Sequence, residues 1–177
     1  LPMLVRLGLM DKPYRLVETY PGDNVTQVAI ELINKGEGDI LMRGNVQTRE
    51  FLMPVLDRRN GLRTDRLLTH IDLVSMPEHE KLIAIGDVTV TIEPNQNQKK
   101  QIIRNLVDAL RYVEDEKPNI ALLALVEQPS FHMKDTIQAY ELTQEHNRSP
   151  IADCELVGPI SYDLILSKEA ARLKGYN

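Results

Sequence analysis

At four positions along this chain, residues that could bind a ligand or transfer a proton lie at the end of a predicted β-strand. In open α/β sheets, ligands bind beyond the carboxyl ends of the strands, where helix N-termini also point. At the first position, a predicted short buried strand at residues 39–42 is followed by Arg43, Gly44, Asn45 and the predicted helix cap Thr48. A phosphate there could accept backbone N–H bonds with Arg43 as its counter-ion. The alternative is an ordinary β–α turn that carries a surface arginine.

Two carboxylates follow apolar runs at the second and third positions. Asp87 comes after the apolar residues 82–85, and it could hold a substrate, assist proton transfer or simply cap its own loop. Thr91 nearby is either a ligand contact or an ordinary strand residue. Glu127 follows the apolar run 120–126, so it either pairs with an arginine or marks where the strand reaches water.

The fourth position is the pair Gly158 and Pro159, which follows a predicted strand at residues 153–157. A glycine and a proline there would bring the backbone close to a ligand, or would only terminate the strand. The residues alone leave both alternatives open.

Composition excludes several other functions. The net charge is −5, with 21 basic and 26 acidic residues, whereas a nucleic-acid surface normally shows a basic excess. The single cysteine, Cys154, permits no internal disulfide, and the four histidines show no spacing typical of a metal site. No stretch approaches 18 apolar residues, so we expect a cytoplasmic protein with no membrane contact.

Short β-rich runs alternate with helical ones, which predicts right-handed crossovers in a three-layer α/β fold with a mainly parallel sheet. The clearest helix is predicted at residues 95–114, where the apolar residues form one stripe. The unbroken apolar run 120–126 is typical of a parallel strand covered on both faces. Residues 67–91 break the alternation and could form an antiparallel hairpin at the sheet edge. We divide the chain into part of a first α/β domain (1–66) and a second domain (67–177).

Five segments, in order and spacing, make the chain resemble the phosphate acetyl/butyryltransferase family, most closely the phosphate butyryltransferases. They are residues 39–57, 61–70, 87–105, 118–127 and 158–171. In the first, this chain reads DILMRGNVQT where the family pattern has DILMKG and VQT.

The resemblance implies two α/β domains similar to those of isocitrate and isopropylmalate dehydrogenases, with the active site in the cleft between them. The implied reaction exchanges coenzyme A for phosphate on a short acyl group, with acyl-CoA as substrate and neither a bound cofactor nor a metal. It also implies a homodimer or a larger homo-oligomer. The site residues it implies are Arg43, Gly44, Asn45 and Thr48 for anion binding, Asp87, Thr91 and Glu127 as cleft lining, and Gly158 and Pro159 as cleft wall.

The chain departs from the family pattern at several places. Met53 stands where the family has an arginine, Thr91 where it has an asparagine, and Val157 where it has an aspartate. Family members also continue past the equivalent of Asn177 with a GNILYK segment and then a Ser-Arg pair with a nearby acid. We therefore expect a fragment or a truncated relative, with little acyltransferase activity by itself.

Two alternatives follow from these departures and from the implied fold. One is a non-catalytic paralogue that binds acyl-CoA or phosphate. The other is a dehydrogenase of the isopropylmalate type, for which the sequence offers no cluster of metal-binding acids.

Overall fold

The structure, a computed structural model, describes residues 5–8, 13–77, 81–113 and 116–176. The chain divides into two compact units, Leu1–Thr64 and Asp65–Asn177. None of the described helices is both long enough and apolar enough to cross a membrane.

The first unit contains helices α1 (Val25–Asn34) and α2 (Thr48–Val55), which contact each other. Residues 39–42, predicted as a buried strand, form no strand, and the side chains of Ile40 and Met42 are 86% and 88% exposed. That prediction is wrong because a short apolar run becomes a strand only when a neighbouring strand pairs with it. The described part of this unit contains no such strand.

The second unit contains two pairs of strands. β1 (Ile71–Val74) and β2 (Ile83–Gly86) form the antiparallel hairpin predicted within residues 67–91. β3 (Asn119–Leu123) and β4 (Glu155–Ile160) are parallel. The parallel pair and its helical crossover confirm an α/β fold.

The helix α3 (Gln96–Leu110) supports both strand pairs. It begins at Asn95, whose side chain accepts a hydrogen bond from the Gln98 backbone, while the Gln98 side chain accepts one from the Asn95 backbone. Its buried stripe is Ile102, Ile103, Leu106 and Val107, as the apolar periodicity of residues 95–114 predicts. The core around this stripe includes residues from β3 and β4, and residues of β1 and β2 pack against it.

The helix α4 (Lys134–Arg148) joins β3 to β4, which makes the crossover that a parallel pair requires. Its Leu142 is fully buried. After β4 the chain continues as α5 (Tyr162–Leu166) and α6 (Lys168–Leu173), which are separated at Ser167.

The strand β3 is covered on one face only, which differs from the predicted strand buried on both. Ile120 is 7% exposed, but Leu123 is 52% and Leu125 is 81% exposed. The strand also ends at Leu123 rather than at Val126.

Candidate functional site

The ends of the two parallel strands carry four polar residues that lie together, which we name the strand-end cluster: Glu127, Ser161, Asp163 and Lys174. Glu127 follows β3, and Ser161 directly follows β4, where it is 8% exposed. Asp163 lies in the first turn of α5, and Lys174 follows α6. Parallel strands end at the same edge of a sheet, so the fold brings the residues after β3 and after β4 together.

Lys174 holds the strand-end cluster together. Its ammonium nitrogen lies 3.1 Å from Glu127 Oε1, 3.0 Å from Asp163 Oδ2 and 3.2 Å from Ser161 Oγ. A lysine ammonium has three N–H donors, so each donor has a partner within the cluster. The Ser161 hydroxyl is hydrogen-bonded to Glu127 and also lies 2.6 Å from Asp163 Oδ1. Because a hydroxyl has one proton, it can donate to only one carboxylate at a time.

These contacts keep all three ionisable groups charged near neutral pH. Hydrogen bonds from Ser161 and then Lys174 lower the pKa of Glu127 and of Asp163. Hydrogen bonds to Asp163 and Glu127 raise the pKa of Lys174. Two carboxylates outweigh one ammonium, so the strand-end cluster is negative. It is therefore suited to holding a cationic or hydroxyl group, and not to binding phosphate by itself.

Asp87 follows β2 directly and organises the loop after it. Its Oδ1 accepts the backbone N–H groups of Thr89 and Val90, each at 3.1 Å, and its Oδ2 accepts that of Thr91 at 3.2 Å. Partial burial would raise the pKa of Asp87, but these backbone hydrogen bonds outweigh it, and the pKa lies below its usual value. The carboxylate therefore caps its own loop, one of the alternatives that the sequence left open, and Thr91 contributes its backbone N–H to that cap.

Arg43 and Thr48 lie together in the first unit. The guanidinium Nη1 donates to Thr48 Oγ1 at 2.8 Å. Thr48 is not the helix cap that the sequence predicted, because it is the first residue of α2 and Gln47 occupies the N-cap position. The Gln47 side chain makes no capping hydrogen bond, so the first N–H groups of α2 remain available for an anion beside Arg43.

Gly44 and Asn45 form the exposed turn between Arg43 and α2. The acidic Glu50 in the first turn of α2 offsets part of the positive potential at this helix end. The anion-binding roles of these turn residues remain predictions.

Gly158 and Pro159 lie inside β4. The prediction that they follow the strand is therefore wrong. A Cβ at Gly158 would lie 2.6 Å from Leu122 Cβ and 3.0 Å from the Leu122 carbonyl oxygen, so only glycine lets the two strands approach this closely. The register of the β3–β4 pair shifts at the same place, between Ala121 and Leu123. Strand packing thus accounts for the glycine, and a ligand role for this pair of residues remains a prediction.

Three members of the strand-end cluster were not identified from the residue pattern. Ser161 carries a signal, because it is a hydroxyl directly after a strand, and Asp163 lies in the segment that resembles the family. Lys174 carries none, since a lone lysine at a helix end is usually a solvated side chain.

Among the described residues, no group of three His, Cys, Asp or Glu side chains could hold a metal ion.

Comparison with known proteins supplies the family. The family described as "Phosphate acetyl/butaryl transferase" matches residues 17–177. The phosphate acetyltransferase of Rhizobium meliloti is 33% identical over 149 residues, which cover 84% of this chain and 47% of that protein. The phosphate butyryltransferase of Clostridium acetobutylicum is 29% identical over 171 residues, or 97% of this chain and 57% of that protein.

A solved structure supports the fold. The crystal structure of a branched-chain phosphotransacylase from Enterococcus faecalis matches 99% of this chain and 70% of its own, with a TM-score of 0.74 at 24% identity. The chain thus spans about half the length of the curated relatives that it matches. Because the family match extends over nearly the whole sequence, the chain belongs to the phosphate acetyl/butyryltransferase family.

Proposed function

We propose that this chain serves phosphate acyl transfer, in which acyl-CoA and phosphate give acyl phosphate and free coenzyme A, and the reverse. The observation that carries the proposal is the family match over residues 17–177. The relatives are named for this chemistry on acetyl and butyryl groups, and they are about twice as long as the part that this chain matches.

The proposed reaction makes three demands on a site. A phosphate oxygen attacks the thioester carbonyl carbon, the carbonyl oxygen becomes an oxyanion, and the C–S bond then breaks to release a thiolate that takes up a proton. The site must therefore hold phosphate in line with the carbonyl, stabilise negative charge and manage the proton of the thiol.

Arg43 and the start of α2 are suited to the first demand. A guanidinium supplies several N–H donors in one plane, and among the described residues Arg43 donates a hydrogen bond only to Thr48 Oγ1. The N–H groups of the first turn of α2 add a partial positive charge. We assign phosphate or coenzyme A binding to this place, with Gly44, Asn45 and Thr48 completing it.

We assign acceptance of the thiol proton to Asp87 and Glu127. Both carboxylates are ionised near neutral pH, because their hydrogen bonds lower their pKa values. In the direction that consumes coenzyme A, an ionised carboxylate can accept the thiol proton. In this proposal Thr91, Gly158 and Pro159 shape the wall beside these acids.

The proposal also covers the sheet, the oligomeric state, the location and the substrate of the whole protein. We infer a three-layer, mainly parallel sheet of the isocitrate/isopropylmalate dehydrogenase type, divided near residues 66 and 67, for which the parallel pair β3–β4 and its crossover α4 are the support. A homodimer or larger homo-oligomer, a cytoplasmic location and a coenzyme A ester as substrate without a resident cofactor belong to the same proposal.

A second candidate is a paralogue that binds acyl-CoA or phosphate without turnover. It is favoured by Met53, which is 62% exposed on α2 where the resemblance leads us to expect an arginine. Val157 replaces an expected aspartate on β4 in the same way, and Thr91 replaces an expected asparagine.

Binding and turnover measurements separate these candidates. Titration calorimetry with phosphate and with butyryl-CoA tests binding, and release of free thiol from butyryl-CoA in the presence of phosphate tests turnover. We expect Arg43→Ala to weaken binding about tenfold, which is the loss of one charge-assisted contact. The matched control is Arg58→Ala, an exposed arginine of the same unit, which should leave binding unchanged. Because little turnover is expected of this chain by itself, thiol release is measured on the whole protein. Binding without thiol release there would favour the paralogue, and no binding of either ligand would reject both.

A further inference from the structure

The buried stripe of α3 continues towards the start of the helix with a lysine. Lys99 precedes Ile102 by three residues and Ile103 by four, so it lies on the same face of the helix as these two buried side chains. Lys99 is itself partly buried. A lysine on the core-facing side of a helix is unusual, because burial disfavours the charged form of its side chain.

Lys99 also differs from the other lysines of the chain in having no partner. Among the described residues it forms neither an ion pair nor a side-chain hydrogen bond. Other described lysines form ion pairs with carboxylates: Lys81, Lys100, Lys117 and Lys174. The remaining described lysines are unpaired but exposed: Lys35, Lys134 and Lys168. Within the described part of the chain, Lys99 is thus the one lysine that is both unpaired and partly buried.

This environment favours the neutral amine of Lys99. Burial lowers the pKa of Lys99 below its ordinary value, and attraction by Asp135 only partly opposes this effect. Asp135 lies in the first turn of α4, and α4 contacts α3. At a given pH, a larger share of Lys99 is therefore neutral than of an exposed lysine, and the neutral amine is the form that acts as a nucleophile.

The position of Lys99 in the fold is one where ligands bind. The helix α3 follows β2, and α4 follows β3. Lys99 is the fourth residue of α3, and its charged neighbour Asp135 is the second residue of α4, so both lie beyond the carboxyl ends of strands. Ligands of open α/β sheets bind beyond these ends. Lys99 is therefore a nucleophilic side chain on the ligand-binding side of the second unit.

We propose that Lys99 is an acylation site, at which the side-chain amine takes the acyl group of an acyl phosphate. The amine nitrogen attacks the carbonyl carbon, the C–O bond to phosphate breaks, and inorganic phosphate leaves with the bonding electrons. The nitrogen releases one proton to water and becomes an amide nitrogen. The amide is uncharged, so acylation removes the cost of holding an unpaired ammonium against the core. The natural source of the acyl phosphate is the reaction under Proposed function, and the inference rests on that function in this respect alone.

The test supplies acetyl phosphate to this chain and follows acetylation of each lysine by peptide mass spectrometry. At pH 7 we expect Lys99 to react about threefold faster or more than the three exposed, unpaired lysines, because more of its amine is neutral. This ratio should fall as the pH rises towards about 10.5, since the exposed lysines then also become neutral. Equal rates at pH 7, or a ratio that does not fall with pH, would overturn the proposal.

Two variants of α4 test the cause of the reactivity. Asp135→Asn removes the charge that favours the ammonium form and should raise the rate at Lys99. Glu145→Gln is the matched control, because Glu145 pairs with Lys100 at 2.6 Å; it should raise the rate at Lys100 and leave Lys99 unchanged. Circular dichroism checks that both variants fold, and Asp135→Ser replaces Asp135→Asn if that variant unfolds. An unchanged rate at Lys99 without the Asp135 charge would contradict the proposal.

The acyl donor is tested in a parallel incubation with acetyl-CoA. Labelling of Lys99 by acetyl-CoA and not by acetyl phosphate would overturn the proposed donor. Because acetyl phosphate is supplied directly, the outcome does not depend on turnover. Acetylation of Lys99 without thiol release by the whole protein would reject the proposed function alone, and thiol release without preferential acetylation of Lys99 would reject the acylation site alone.

Discussion

Replacing Gly158 by alanine should destabilise the second unit more than the same change at Gly86, the other glycine of that unit with close neighbours. The new Cβ would lie 2.6 Å from Leu122 Cβ, 3.0 Å from its carbonyl oxygen and 3.3 Å from its Cα. Carbon atoms in good contact are about 3.5–4.0 Å apart, so the overlap is about 1 Å. Leu122 cannot rotate away from it, because the crowded atoms are its backbone and Cβ.

The cost follows from what must move. The neighbours of Leu122 on β3 are both in register with β4, since Ala121 is paired with Val157 and Leu123 with Ile160. Relief therefore requires the two strands to separate locally, and we expect a loss of about 2–3 kcal/mol in the free energy of unfolding, near the top of the range for overpacking. With a urea m-value of about 1–3 kcal/mol/M, the unfolding midpoint should fall by about 1 M or more.

Gly86 and Gly38 provide a graded control. A Cβ at Gly86 would lie 3.1 Å from the His70 carbonyl oxygen, and one at Gly38 would lie 3.6 Å from Ile33 Cγ1, an ordinary contact. Urea unfolding, monitored by hydrogen exchange, measures the stability of each unit separately. The loss in the free energy of unfolding should be largest for Gly158→Ala, smaller for Gly86→Ala and smallest for Gly38→Ala. Surface substitutions usually change the free energy of unfolding by less than about 0.5 kcal/mol. A change that small for Gly158→Ala would refute the close packing of β3 on β4.

Three further predictions concern capping and charge. Asn95→Ala should cost about 1 kcal/mol, because the capping box at the start of α3 loses its acceptor, and the urea midpoint measures it. Asp87→Ala should destabilise the loop by about 1–3 kcal/mol, since three backbone N–H groups lose their acceptor, whereas Asp87→Asn retains an acceptor oxygen and should cost less. The strand-end cluster should make the free energy of unfolding fall in acid. Folding lowers the pKa values of Glu127 and Asp163, so the cluster stabilises the chain at a pH above their unfolded pKa values, which are about 4. That stabilisation is lost as the pH falls through the folded pKa values. Lys174→Met should reduce this acid dependence, which urea midpoints at several pH values would show; an unchanged profile would contradict the role given to Lys174.

The elements that local sequence determines were predicted well. The helix α3 has its own apolar stripe and its own capping residues, so the positions that form it are close in sequence. The hairpin β1–β2 is also local, and it was predicted from the break in the alternation of strands and helices. In both cases the signal and the contacts lie within the same short segment.

The strand-end cluster could not be predicted because its contacts are distant in sequence. Glu127 is a candidate from the sequence, since a carboxylate after an apolar run is unusual, but the sequence leaves open whether it pairs with an arginine or marks where the strand reaches water. The partners are Lys174 and Ser161, which reach Glu127 only after the crossover α4 has placed β4 beside β3. Which basic residue meets an acid at a strand end depends on tertiary packing, and the residue types do not specify it.

The apolar pattern of β3 carries information about a larger sheet than the described strands form. The run 120–126 predicts burial on both faces, and the structure covers only one, which leaves Leu123 half exposed. The same excess of apolar side chains occurs at Leu82 and Ile85, which line one apolar groove with Leu123 between β2 and β3. An isolated apolar side chain at the surface needs no explanation, but three of them facing one groove between two open strand edges do. The larger, mainly parallel sheet proposed for the whole protein would supply the second covered face that the sequence of β3 predicts.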